Sequence, residues 1–176
     1  MNSMIKLIPI AFLTLFVFVG SNFAQDDLLS RVPQLQDTAR KSNSGELGCG
    51  PSDFSVVFPN KVKVSDLLVL LEARAKANRT GEQNPMSGEV KDLVYVILSG
   101  LPHFKDAKVI PVVKELLGDK NEVIRGWAAI TLFRLAEQSE DLRKEIEQIT
   151  FPKAAVQSAN ARGEKLPAWA KVEGDS

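Results

Sequence analysis

The chain has 176 residues, in which 22 Lys and Arg are balanced by 22 Asp and Glu and accompanied by a single His, so its formal net charge is zero. A neutral chain has no bulk attraction for a polyanion, which argues against nucleic acid as its partner. The hydrophobic fraction, 44%, is ordinary for a globular protein but unevenly spread: the first 24 residues hold four of the nine Phe, two of the three Met and one basic side chain, Lys6.

Within that leader, Leu7 to Val19 reads LIPIAFLTLFVFV, thirteen uncharged residues that follow Lys6 and precede Gly20, Ser21, Asn22, Phe23 and Ala24. A short apolar run between a positive charge and a set of small residues is the pattern of a secretory signal peptide. It falls well short of the roughly 20 apolar residues that a bilayer core requires. Residues 1–24 are therefore expected to be a signal peptide, cut after Ala24 or, as a second choice, after Ser21. The protein is expected to be exported, periplasmic or secreted, with no stable membrane insertion after cleavage. Its only cysteine, Cys49, stands in Gly48-Cys49-Gly50-Pro51, which excludes an intrachain disulfide. That thiol is either inert or the site of an intermolecular bridge that supports weak self-association. Asn78-Arg79-Thr80 fits the glycosylation sequon, which carries meaning only in a eukaryotic source.

Residues 25–60 mix Asp, Ser, Asn, Gly and Pro and read as a flexible N-terminal arm, in which Phe54 to Phe58 (FSVVF) is expected to lie on the domain as a short extended segment closed by Pro59. The period then becomes helical, and residues 61–164 are expected to form one helical domain, with 165–176 as a C-terminal tail. Ser65 is placed to cap a helix in which Leu67, Leu68, Leu71 and Ala75 recur, ended by the breakers Gly81, Pro85 and Gly88. Glu89 to Leu101 follows. Its body, LVYVIL, has strand propensity, but the spacing of Val90, Leu93, Val94, Ile97, Leu98 and Leu101 predicts a helix. Asp106 to Leu117, a Gly118-Asp119-Lys120-Asn121 turn and Glu122 to Glu137 then form a tight helical hairpin, with Asp119 or Asn121 accepting hydrogen bonds from the next helix start. The second of these helices is apolar around most of its circumference and must be covered on more than one side, and Trp127 is expected to fill the core. Ser139 opens a shorter helix. Lys153 to Arg162 is a small Ala-rich helix whose short side chains allow close docking, and Leu166 and Trp169 can fold back as a cap.

Two of these pairs align at an offset of 34 residues, which places Val90, Val94, Leu98 and Leu101 on Ile124, Ala128, Leu132 and Leu135. Such self-similarity arises when stacked hairpins bury the faces that one hairpin cannot bury alone. Within the better unit, Val109 to Asp119 followed by Glu122 to Ala129 resembles a HEAT repeat. That family's Pro in the first helix, Asp in the turn and aliphatic-Arg pair opening the second helix are matched by Pro111, Asp119, Ile124 and Arg125. The preceding unit departs from the pattern, with Lys91 and Asp92 at the aliphatic-Arg position. The resemblance implies an all-α fold, a short right-handed stack of helical hairpins (a HEAT-like α-solenoid), and a structural pairing of Arg125 with the Asp of a turn. Independently of it, a Pro five residues into a helix is expected to bend that helix.

Catalytic signatures are scarce. His103 lies near Ser99 and Asp106 in sequence, but Pro102 and Phe104 mark a loop, and two His or Cys in the whole chain cannot supply a zinc site. No Gly-rich phosphate loop follows a strand, and no catalytic, metal or cofactor site is expected. The expected function is therefore a non-enzymatic scaffold or adaptor whose second helices present a groove to a protein or peptide. A lyase-like or chromophore-handling role, by similarity to HEAT-like bilin lyases, and a self-associating envelope component joined through Cys49 are the alternatives.

Overall fold

The computed structural model describes residues 28, 30–43, 54–58, 62–81 and 91–174. The leader, Cys49 and the last two residues lie outside that set. The described chain is mostly helical: α1 (Val32–Asn43), α2 (Phe54–Val57), α3 (Val64–Thr80), α4 (Lys91–Gly100), α5 (Ile110–Leu116), α6 (Glu122–Gln138), α7 (Glu140–Ile146) and α8 (Lys153–Asn160). Two short 3-10 turns, Leu101–Phe104 and Ala107–Val109, link α4 to α5. Two two-residue strands, β1 (Thr150–Phe151) and β2 (Lys171–Val172), pair in parallel.

Helix α6 is the hub. It packs against α4, α5, α7 and α8, so Ile124, Ala128, Ala129, Ile130, Leu132, Phe133 and Leu135 are all buried. This is how a helix apolar around its circumference is accommodated. α4 and α8 flank α6 on two sides, while α3 packs on α5. Of the stripe read for α4, Leu93, Val94, Ile97, Leu98 and Leu101 have no exposure, while Glu89 and Val90 lie outside the described residues; LVYVIL is helix because its apolar stripe meets α6 and α1. One side-chain tie joins the two. Thr131 is buried, with Oγ1 3.0 Å from the Leu98 carbonyl near the end of α4 and 2.7 Å from the Trp127 carbonyl in its own helix.

The α6–α8 contact is closest at Gly126. A Cβ built there meets the Ser158 carbonyl oxygen at 2.8 Å and its carbon at 2.9 Å, so only glycine lets the two backbones approach this far. The facing side of α8 presents Ala155, Ser158 and Ala159, all buried, in agreement with the close docking expected of its short side chains.

Several expectations are corrected. Val32 to Asn43, read as part of a flexible arm, is a helix with Val32 and Ala39 fully buried and Leu35 half-buried against the core. Three positions at spacings of three and four suffice, because α4 supplies the surface they cover. Its polar side carries Asp37, paired with Arg40 at 2.6 Å and Lys41 at 2.8 Å. Phe54 to Val57, read as extended, is one helical turn whose Phe54 ring lies on Gly100 and stacks near Phe58 and Phe104 at 4.9 and 5.9 Å between centroids. Ser65 lies inside the first turn of α3 rather than capping it, and its hydroxyl bonds the neighbouring Asp66 carboxylate. Pro111 does not kink a helix. A 3-10 turn capped by the Asp106 side chain precedes it, so α5 begins at Ile110 and Pro111 sits in the first turn, where its missing N–H costs nothing. Elsewhere the caps fall where expected: Asn121 Oδ1 accepts from the Val123 N–H at 2.9 Å, and Ser139 Oγ from the Leu142 N–H at 3.2 Å.

The tail returns to the core as a strap. Trp169 meets Phe133 edge-on at 6.0 Å and lies 6.5 Å from Phe151, and the bridge pairs Thr150 with Lys171 and Phe151 with Val172. The folded-back Trp was expected. The strand pairing was not, because a two-residue bridge has no periodicity to read.

Candidate functional site

Of the residues singled out in the hairpin, Asp119 has the most constrained surroundings. It follows Gly118 in the α5–α6 turn, and its side chain has no exposure. Four donors converge on its carboxylate: Arg74 Nε and Nη2 at 2.9 Å each, Asn78 Nδ2 at 2.6 Å and the Asn121 N–H at 2.7 Å. Arg74 and Asn78 are one turn apart on α3, so the carboxylate fastens the preceding helix to the turn and, through Asn121, to the start of α6. Burial alone pushes the Asp119 carboxyl up, but the Arg74 guanidinium, the Asn78 amide and the Asn121 N–H together outweigh it and hold the group below the usual carboxylate range.

Arg125 plays a different part from the one its position suggested. Its Nη1 donates to the main-chain carbonyls of Asp119 at 2.8 Å and Lys120 at 3.0 Å, while the Asp119 carboxylate takes Arg74 as its cation. The turn is thus clamped from both sides: Arg125 holds its carbonyls and Arg74 its side chain. Arg74 and Asn78 were missed in the sequence. Their signal was a polar pair at i and i+4 on one helix face, which is indistinguishable from a solvated face until the buried Asp is brought opposite.

Ile124 is 1% exposed and keys the first turn of α6 into the core. Pro111 is exposed and lines a groove of about 440 Å³ between α3 and α5, with Val69 and Ala73 on its apolar side and Glu72 and Lys76 among its charged residues. Arg79 and Glu115 also line this groove and pair with each other.

Trp127, expected to fill the core, packs against its edge. It is half-buried, with its ring centroid 4.5 Å from that of Tyr95 on α4, and the Arg134 guanidinium lies over it at 5.7 Å. Arg134 also approaches Glu164 of the C-terminal strap at 3.3 Å.

The residues His103, Ser99 and Asp106 each have local surroundings of their own. Ser99 Oγ is bonded to the Val96 carbonyl, Asp106 accepts from the Lys108 N–H, and His103 is exposed on a 3-10 turn. Among the described residues no group of three His, Cys, Asp or Glu is placed to hold a metal, and no helix is long and apolar enough to cross a membrane. Cys49 lies outside the described residues.

Comparison with protein-family models, curated proteins and solved structures gives no match.

Proposed function

We propose that the chain is an exported, non-enzymatic interaction module built as a short HEAT-like stack of hairpins, with its binding face on the row of second helices α4 and α6. The observation that carries this reading is the Trp127–Tyr95–Arg134 cluster: a half-buried Trp and Tyr in contact, with a guanidinium over the Trp ring, on two helices held rigid by the core. Trp, Tyr and Arg are the residues that dominate binding energy at protein interfaces, and rigid placement lowers the entropy lost on association. The Asp119 clamp supports the stacked arrangement, because it ties one helix pair to the turn of the next. The leader supports export and restricts the partner to an extracytoplasmic protein or peptide.

The test is capture from the exported fraction with wild-type protein, with Trp127→Ala and with an unrelated control. The reading stands if a protein retained by the wild type is lost with Trp127→Ala while the variant keeps its helical content. It falls if all three baits retain the same proteins. Export is tested by N-terminal sequencing of the protein recovered outside the cytoplasm: a start at Gln25 is expected, and an intact Met1 on a cytoplasmic product overturns it.

A further inference from the structure

A cleft of about 480 Å³ lies between the first turn of α6 and the C-terminal end of α8, where the Arg125 and Arg162 side chains meet the exposed Glu122 and Gln157. It is separate from the Trp127 cluster. Among the described residues each guanidinium there donates only to main-chain oxygens: Arg125 to the Asp119 and Lys120 carbonyls, Arg162 to that of Ser158. Among the described residues neither has a carboxylate within ion-pairing distance, in contrast to Arg40, Arg74, Arg79, Arg134 and Arg143, all of which do. Arg125 Nε is buried with no hydrogen-bond partner among the described residues. Two half-buried cations on one cleft, neither of them in an ion pair, are costly, since each is partly stripped of water.

The backbone accommodates this arrangement. At Gly126 a Cβ would stand 3.0 Å from Arg162 Nη1 as well as against Ser158, so the absence of a side chain there is what lets the second guanidinium lie beside α6.

We infer that this cleft is a binding site for one small oxyanion, a carboxylate or a phosphate group, held between the Arg125 and Arg162 guanidiniums. The guanidinium N–H groups that no main-chain carbonyl takes are charge-assisted donors of the kind that binds carboxylate and phosphate oxygens. Glu122 lines the same cleft and sets the limit on charge: it leaves the site with one net positive charge, which suits a single carboxylate or phosphate and repels a polyanion. The inference is independent of the reading of α4 and α6 as an interaction face.

The experiment uses the protein recovered from expression of the full sequence and follows its amide NMR signals during addition of sodium acetate, sodium phosphate or sodium chloride at equal ionic strength. Saturable shifts at Glu122, Arg125, Gln157 and Ala161 with acetate or phosphate, and none with chloride, are expected. Saturation with acetate alone identifies a carboxylate ligand, and with phosphate alone a phosphate ligand. Arg162→Gln is expected to weaken the binding by about ten-fold. Glu122→Gln is expected to strengthen it, a gain that damage to the fold cannot produce, and Arg143→Gln, on α7 outside the cleft, to leave it unchanged. Absence of saturable shifts with either oxyanion, or equal binding by wild type, Arg162→Gln and Glu122→Gln, overturns the inference.

Discussion

Replacing Asp119 by Asn is the sharpest test of the clamp between α3 and the α5–α6 turn. The change keeps shape and size, and one oxygen can still accept from Asn121 or Asn78. It removes the negative charge that faces Arg74, whose side chain is only 12% exposed. It also sets an NH2 donor against the Arg74 and Asn78 donors. Breaking a buried pair by deleting one charge costs roughly 3–5 kcal/mol, because the surviving cation stays desolvated. Since Arg74 retains slight exposure, the lower end applies, about 3 kcal/mol, which for a domain of this size is a fall in Tm of about 6–12 °C. The assay is equilibrium urea unfolding followed by circular dichroism, with an unchanged m-value as the check that the unfolding transition is the same. The double variant Arg74→Met with Asp119→Asn should lose less than the sum of the single losses, with a coupling of about 2 kcal/mol. The pH dependence follows with a definite sign. The folded chain holds Asp119 below its unfolded range, so as pH falls through about 4 the unfolded chain takes up its proton first. The clamp's contribution is therefore complete above that range and is lost progressively below it, and Asp119→Asn should flatten this acid limb. A loss smaller than about 1 kcal/mol, comparable to that of an exposed pair such as Arg79 with Glu115, would refute the reasoning.

Three other substitutions probe the packing. Gly126→Ala places a methyl against the Ser158 backbone and should cost about 1–3 kcal/mol by urea unfolding, because two helix backbones must separate. Thr131→Val removes the hydroxyl between the Leu98 and Trp127 carbonyls and should cost about 1–2 kcal/mol in the same assay. Trp169→Ala uncovers Phe133 and Phe151 and should cost about 2–3 kcal/mol, less than a fully buried Trp, with loss of near-ultraviolet dichroism and little change in helix content.

Helix identity from α3 to α8 was legible because each segment carries an apolar spacing that no other element satisfies. Cap positions were legible at Asn121 and Ser139, where a short polar side chain stands directly before the apolar run. They failed at Ser65, where the helix starts one residue earlier, and the helix start read at Asp106 falls instead at Ile110, because Asp106 caps a 3-10 turn. The failure at Asp106 also undid the expected kink: once α5 begins at Ile110, Pro111 occupies the position where a Pro is harmless. α1 was illegible by itself, since a stripe of Val32, Leu35 and Ala39 is too thin to specify a helix without α4 to bury it. In the site, Asp119 was marked by its turn, but the cation that pairs with it was not. Arg125 is six residues away and Arg74 is 45, and local spacing favours the nearer one.

By itself, then, the sequence determined that this is a helical chain with a helix from Glu122 to Glu137 that is apolar around most of its circumference, a Gly-Asp turn before it and a glycine inside it. Those are local properties, set by side-chain period, backbone freedom and capping chemistry over a few residues. Only the tertiary structure decided what each local feature meets. It gave Asp119 to Arg74, set Trp127 at the edge of the core beside Tyr95, and used Gly126 to draw α8 and Arg162 against α6. The physical reason is that burial and charge pairing are settled between elements far apart in the chain. A polar residue on a helix face reads the same whether it will meet water or a buried carboxylate.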